Sequence, residues 1–209
     1  MYNSIDRLSN LIKQNDTSLI YGVQNSRVFE FIFKAKYLKC DYFKIGSEEL
    51  QGIWLNPEKG IDSIIQGNSE NKSKIISFNA INKKLEEVDK IINVLVDLQV
   101  QKDLLKDKKC KIVLFLDHSQ IEILNFRKGD SSYPFTEGTS VFYCSEYYFH
   151  FHEYSEFLKK SKEFKIDYDL WKNLLSYTNG ELFSTFFFME EISGRIINEK
   201  TLFEFIKNN

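Results

Sequence analysis

Ser18-Leu19-Ile20-Tyr21-Gly22-Val23-Gln24-Asn25-Ser26-Arg27-Val28-Phe29 passes from a short apolar strand through a glycine turn into the start of an amphipathic helix. The helix is predicted from about Ser26 to Leu38, because Val28, Phe31, Ile32, Ala35 and Leu38 recur at helical spacing. Upstream, Ile5, Leu8, Leu11 and Ile12 form the stripe of a first helix, with Asn3 placed to cap it and Asp6 near its positive end. Downstream, Asp41 to Ile45 has the pattern of a second strand and Ser47 to Trp54 that of a short helix. Gln66 to Lys74 contains no apolar residue and is predicted to be a loop.

From about Asn79 to Leu105, Ile81, Leu85, Val88, Ile92, Leu95 and Leu98 keep one helical stripe. That predicted long helix leads to Lys111-Ile112-Val113-Leu114-Phe115-Leu116-Asp117, a continuous apolar run closing in an acid. Such a run suits a central parallel strand covered on both faces. Lys128 to Ser132 marks a second loop, and Thr139–Cys144 and Tyr148–His152 are candidate strands. Beyond Ser155 the pattern is wholly helical, through Phe157, Trp171, Leu174, Phe186 and Leu202. Strand and helix alternation therefore ends near Glu153. The expected fold is α/β: a parallel-sheet, three-layer core over residues 1–153 and a small all-helical lid over 154–209.

Composition narrows the function classes. The 209 residues carry a formal net charge of −2, which gives no global attraction to nucleic acid or anionic lipid. Lysines outnumber arginines 24 to 4, so few side chains suit bidentate phosphate or base recognition. Cys40, Cys110 and Cys144 are widely spaced and form no C-x-x-C pair, as expected of reduced thiols. With no apolar run of membrane-spanning length and no signal-like opening segment, the expected compartment is the cytoplasm.

The glycine turn stands where a phosphate-binding loop would read G-x-x-x-x-G-K-[ST]. Counted from Gly22, the second glycine is Arg27, the lysine is Val28 and the magnesium-binding hydroxyl is Phe29. Close backbone approach, charge neutralisation and metal coordination are lost together. In the order of its elements, including the acid-ended apolar strand and the helical lid, the chain resembles the AAA+ class of P-loop ATPases and their STAND relatives, with a degenerate Walker A motif. The resemblance implies a P-loop-like core. It also implies a catalytically inactive subunit that assembles with a protein partner, an active AAA+ or STAND homologue, in a clamp-loader-like DNA replication setting or a regulatory complex. No cofactor is expected under it.

A second reading makes the chain an unconventional ATPase. Asp117 matches the magnesium-associated acid of the family, and His118 takes the place of an acidic neighbour, as a base near neutral pH. Arg27 at a helix N-terminus would replace the missing lysine, with Gly22, Asn25 and Ser26 completing a vestigial loop for ATP or ADP. A third reading is a nucleic-acid accessory protein using Lys106, Lys108, Lys109, Lys159 and Lys160. Three further patterns have local explanations beside functional ones. His150 and His152 would meet Glu146 and Cys144 on one strand face as metal ligands, if a single strand ran through them. Asn179 and Gly180 suit a left-handed helix terminus, and also resemble the turn before the second sensor helix of STAND proteins. The following helix, with Phe183, Phe186, Phe187 and Phe188, is apolar nearly all round and must be covered on several sides, by the core or by a partner docking on Phe183, Phe187 and Phe188.

Overall fold

The computed structural model describes residues 4–34, 40–66, 72–120, 139–159, 163–195 and 199–208. Its strands are β1 (Thr17–Tyr21), β2 (Asp41–Lys44), β3 (Lys74–Asn79), β4 (Cys110–Leu116) and β5 (Thr139–Tyr143). They form one sheet, all neighbours parallel, in the order β2-β3-β4-β1-β5. Parallel neighbours need crossovers. Helix α1 (Ser4–Gln14) leads into β1, and the segments between the first four strands carry α2 (Arg27–Lys34), α3 (Ser47–Leu55), α4 (Pro57–Ile65), α5 (Leu85–Val100) and α6 (Lys102–Asp107). After β5 come α7 (Tyr168–Thr178), α8 (Leu182–Ile192) and α9 (Glu199–Asn208).

Side chains alternate across a strand, so the apolar runs supply both faces at once. Ile20, Ile75, Val113, Phe115 and Phe142 point to one side, where they join α1, α2 and the carboxyl-terminal helices in an aromatic-rich core. Leu19, Ile76, Phe78, Ile112 and Leu114 point to the other, into an aliphatic core with α3, α4, α5 and α6. The α/β fold, a helix-covered parallel sheet followed by helices, is as expected. Trp171, Phe186 and Leu202 of the carboxyl-terminal helices belong to the same continuous cluster as Phe29 and Phe115.

Several element boundaries differ from expectation. Lys74 opens β3 instead of ending a loop: its ammonium donates to the Lys108 carbonyl, and Ser77 donates to the Phe43 carbonyl, so polar residues occupy a buried strand at little cost. The expected helix over Asn79–Leu105 begins only at Leu85 and breaks at Gln101. Before it, Asn82 takes a positive φ of 58° in a turn. Helix α4 was not anticipated, although Asn56 caps it through Lys59 N and Pro57 occupies its first turn. Tyr148–His152 is not a strand. Tyr148 makes one antiparallel bridge to Glu181, and the chain then turns into a π-helical segment at Tyr154–Leu158. The expected cap Asn3, the end of the second helix at Ala35–Leu38, and the Lys128–Ser132 loop lie outside the described residues.

Candidate functional site at the carboxyl edge of the sheet

The glycine turn leaves β1 at the edge where α/β proteins place their ligands. Gly22 has φ +81°, and a Cβ there would lie 3.0 Å from His118 Cε1 and 3.2 Å from its Nε2. The imidazole of His118 thus closes directly over the turn, edge-on to Tyr21 with ring centroids 5.4 Å apart. Asn25 Oδ1 accepts the Arg27 amide at 3.0 Å, so one free N–H of α2 is already occupied by its own chain. Val28 and Phe29 are both 0% exposed. Phe29 packs at 5.4 Å from Phe115 and 6.2 Å from Phe33, deep in the aromatic core. The two positions that would hold phosphate and magnesium face inward as apolar side chains.

Arg27 points away from the turn. Its guanidinium pairs with Glu190 of α8 at 2.5 Å, an ion pair without hydrogen-bond alignment. Burial lifts the Glu190 carboxyl above its ordinary pKa, and Arg27 brings it only partly back. The contact fastens the helix after the glycine turn to the carboxyl-terminal helices.

Asp117 is equally committed. Its Oδ2 accepts the Asn82 amide at 2.7 Å, and its Oδ1 accepts both the amide and the hydroxyl of Ser119, at 2.8 and 2.5 Å. Burial alone would raise its pKa, but these hydrogen bonds, with a smaller contribution from His118, leave it below the usual carboxylate range. Gln120 completes the turn, accepting from Asp117 N and donating to the Ala80 carbonyl. The acid holds two loops together. Asn79, at the end of β3, reaches the start of the glycine-turn helix, with its amide 3.4 Å from Ser26 Oγ. It escaped the sequence reading because β3 itself did.

A cleft of about 680 Å³ lies beside this edge, between Gln24 and Asn25 on one wall and Tyr177, Phe183, Phe187 and Ile206 on the other. Helix α8 is covered on most sides. Phe186 is buried against Phe31 and Phe164, Phe188 is buried beside Phe205, Phe183 is half-buried, and only Phe187, at 47%, stands clearly exposed. Asn179 and Gly180 both take the left-handed conformation at the end of α7, with φ of 52° and 71°. Glu181 then caps α8 through the Phe183 and Ser184 amides.

The histidine pair, the cysteines and the basic clusters lie elsewhere in the fold. His150 and His152 stack with centroids 5.6 Å apart, but the chain turns there, and among the described residues no three His, Cys, Asp or Glu side chains are grouped to hold a metal. Cys144 is buried, and burial pushes its thiol up to about 12. None of the three cysteines is in a disulfide. At the opposite edge of the sheet, Lys108 of the first basic cluster pairs with Asp62, while Lys111 pairs with Asp16 and Lys72 with Asp41. Lys159 follows the π-helical segment, and Lys160 lies outside the described residues.

No family model matches the chain, and no curated protein matches it. Among solved structures it is similar to a chain in the crystal structure of Rif2 in complex with the C-terminal domain of Rap1, at 15% identity and a TM-score of 0.37. The match covers 84% of this chain and 62% of that one. No described helix is long and apolar enough to cross a membrane.

Proposed function

We propose that the chain is a non-hydrolytic, P-loop-like domain that works by binding another protein. One observation carries this reading: at the glycine turn, the positions for a phosphate cation and a metal hydroxyl are Val28 and Phe29, both wholly buried. The supporting geometry is the engagement of Asp117 by Asn82 and Ser119, and of Arg27 by Glu190. Transition-state stabilisation of phosphoryl transfer needs preorganised charge aimed at the phosphates. These side chains are committed elsewhere. The partner implied by the sequence resemblance is an active relative, docking on the α8 face around Phe187.

The test is co-purification from the native host with tagged wild-type chain and Phe187→Asp. Loss of the specific companion, with thermal stability unchanged, supports docking at α8. Retention of the same companion by Phe187→Asp places docking elsewhere. Phe188 is buried, so Phe188→Asp is expected to unfold the helical part and serves only as a folding control.

A further inference from the structure

The chain leaves β5 through a short extended segment anchored by one buried acid. Glu153 is 1% exposed, and its carboxylate accepts the His150 amide at 2.6 Å and the Tyr147 hydroxyl at 3.4 Å. Those two contacts grip both ends of Tyr147–His150. Between them, Phe149 docks the segment on the carboxyl-terminal helices: its amide donates to the Gly180 carbonyl at 2.7 Å, and its ring stands edge-on to Trp171 at 5.7 Å. Gly180 comes so close that a Cβ there would lie 2.3 Å from the Phe149 carbonyl oxygen. The grip and the docking are therefore one mechanical unit.

Glu153 has no counter-charge. Among the described residues no basic side chain pairs with it, and the charged group that acts on it from α1 is another acid, Asp6. Arg7, next along α1, is taken by Glu146 at 2.6 Å. Both hydrogen bonds survive protonation, since the Tyr147 hydroxyl can accept from a carboxyl as well as donate to a carboxylate. Ionisation instead buries a charge met only by neutral donors, and opening the segment to water relieves it. Burial lifts the carboxyl from 4.5 to about 7 against the pull of its two hydrogen bonds, and Asp6 adds to the rise. The contribution of Glu153 to closure is thus complete below about pH 4.5 and is lost as pH rises through about 7. His150 and His152, stacked at 5.6 Å on the same turn, act in the other direction: burial, then His152, lowers the His150 pKa from 6.5, so its contribution is complete above that value and is lost in acid. We propose that Glu153 is a pH latch: protonated, it holds Tyr147–His150 closed on the turn between α7 and α8; ionised, it lets that segment open while the sheet stays folded. The latch does not rest on the reading of Phe187.

The test is hydrogen exchange of the full chain at about pH 5 and about pH 8, each amide corrected for its intrinsic rate, with Leu114 in the middle of β4 as the reference. From the lower to the higher pH, protection of the Phe149 amide should fall at least tenfold more in the wild type than in Glu153→Gln, the effect of one pKa unit or more. The histidines are common to both chains and cancel. At the higher pH, Phe149 should also be at least tenfold less protected than Leu114, which marks local opening and not unfolding of the whole chain. An equal fall in Glu153→Gln would overturn the latch, as would equal protection of Phe149 and Leu114 at the higher pH. Asp6→Asn, which keeps Glu153 in place, should show a smaller fall than the wild type; a fall as large would overturn it too.

Discussion

The glycine-turn edge and the corner between α3 and α4 are built from similar elements, a strand end and the helices beside it, yet they use their side chains in opposite ways. At the glycine turn the chain satisfies itself: Asn25 caps α2, His118 covers Gly22, Asp117 ties two loops and Arg27 pairs with Glu190. At the corner, Trp54 and Leu55 face water with nothing from the described chain over them. A site shaped like a ligand cradle can be closed by its own groups, while a plain helix corner can leave large apolar side chains in water. Location at the carboxyl edge, by itself, is a fold-level argument.

The largest effect belongs to the closed edge. Phe29→Ala should cost about 3–5 kcal/mol, the usual range for emptying a buried aromatic site, measured by denaturant unfolding. Replacing Val28 and Phe29 by Lys and Ser to rebuild the motif should therefore unfold the protein instead of creating an ATPase. A folded, nucleotide-binding double variant would break the contrast between the two regions.

Second comes Glu153, buried beneath the connection from β5 to the carboxyl-terminal helices. Its carboxylate accepts the His150 amide at 2.6 Å and the Tyr147 hydroxyl at 3.4 Å, with the Asp6 carboxylate nearby. Burial raises its pKa from 4.5 to about 7, only partly offset by those two hydrogen bonds. The protonated form is thus favoured by folding, so its contribution is complete below about pH 4.5 and is lost as pH rises through about 7. Glu153→Gln should stabilise the chain above neutral pH, by on the order of 3 kcal/mol at most, and leave it nearly unchanged in acid. Thermal melts across pH check this; a gain of equal size at every pH would contradict it.

The smaller effects sharpen the contrast. Arg27→Ala removes an ion pair that is exposed on the Arg27 side, at 62%, and mostly buried on the Glu190 side, at 22%, and should cost about 1 kcal/mol. A much larger loss would mean that this pair carries the docking of α8. Leu55→Ser should change stability by no more than about 0.5 kcal/mol, because the side chain is already in water. Unfolding by Leu55→Ser would show that the corner is part of the core.

How much of this was legible in the sequence follows from which signals are periodic. The switch from Leu19-Ile20-Tyr21 to the helical spacing of Val28, Phe31 and Ile32 marked β1 and α2, and the unbroken run in β4 marked a strand buried on both faces. β3 was hidden because Lys74 and Ser77 look like loop residues until the carbonyls of Lys108 and Phe43 are seen to satisfy them. The alternation at Tyr147 to His150 is real, with Tyr147 and Phe149 buried and Tyr148 and His150 exposed. It describes an extended segment with one bridge, from Tyr148 to Glu181. At the site, the loss of the lysine and hydroxyl was readable by counting from Gly22. The engagement of Asp117 by Asn82, and the exposure of Trp54 and Leu55, depend on contacts remote in sequence and have no local signature.

The most direct test of the central claim is the melting temperature of the full chain in millimolar ATP with magnesium. The closed turn predicts no change from buffer alone. A stabilisation approaching the roughly 2.7 kcal/mol expected at a hundredfold excess over Kd, abolished by Arg27→Ala, would contradict it.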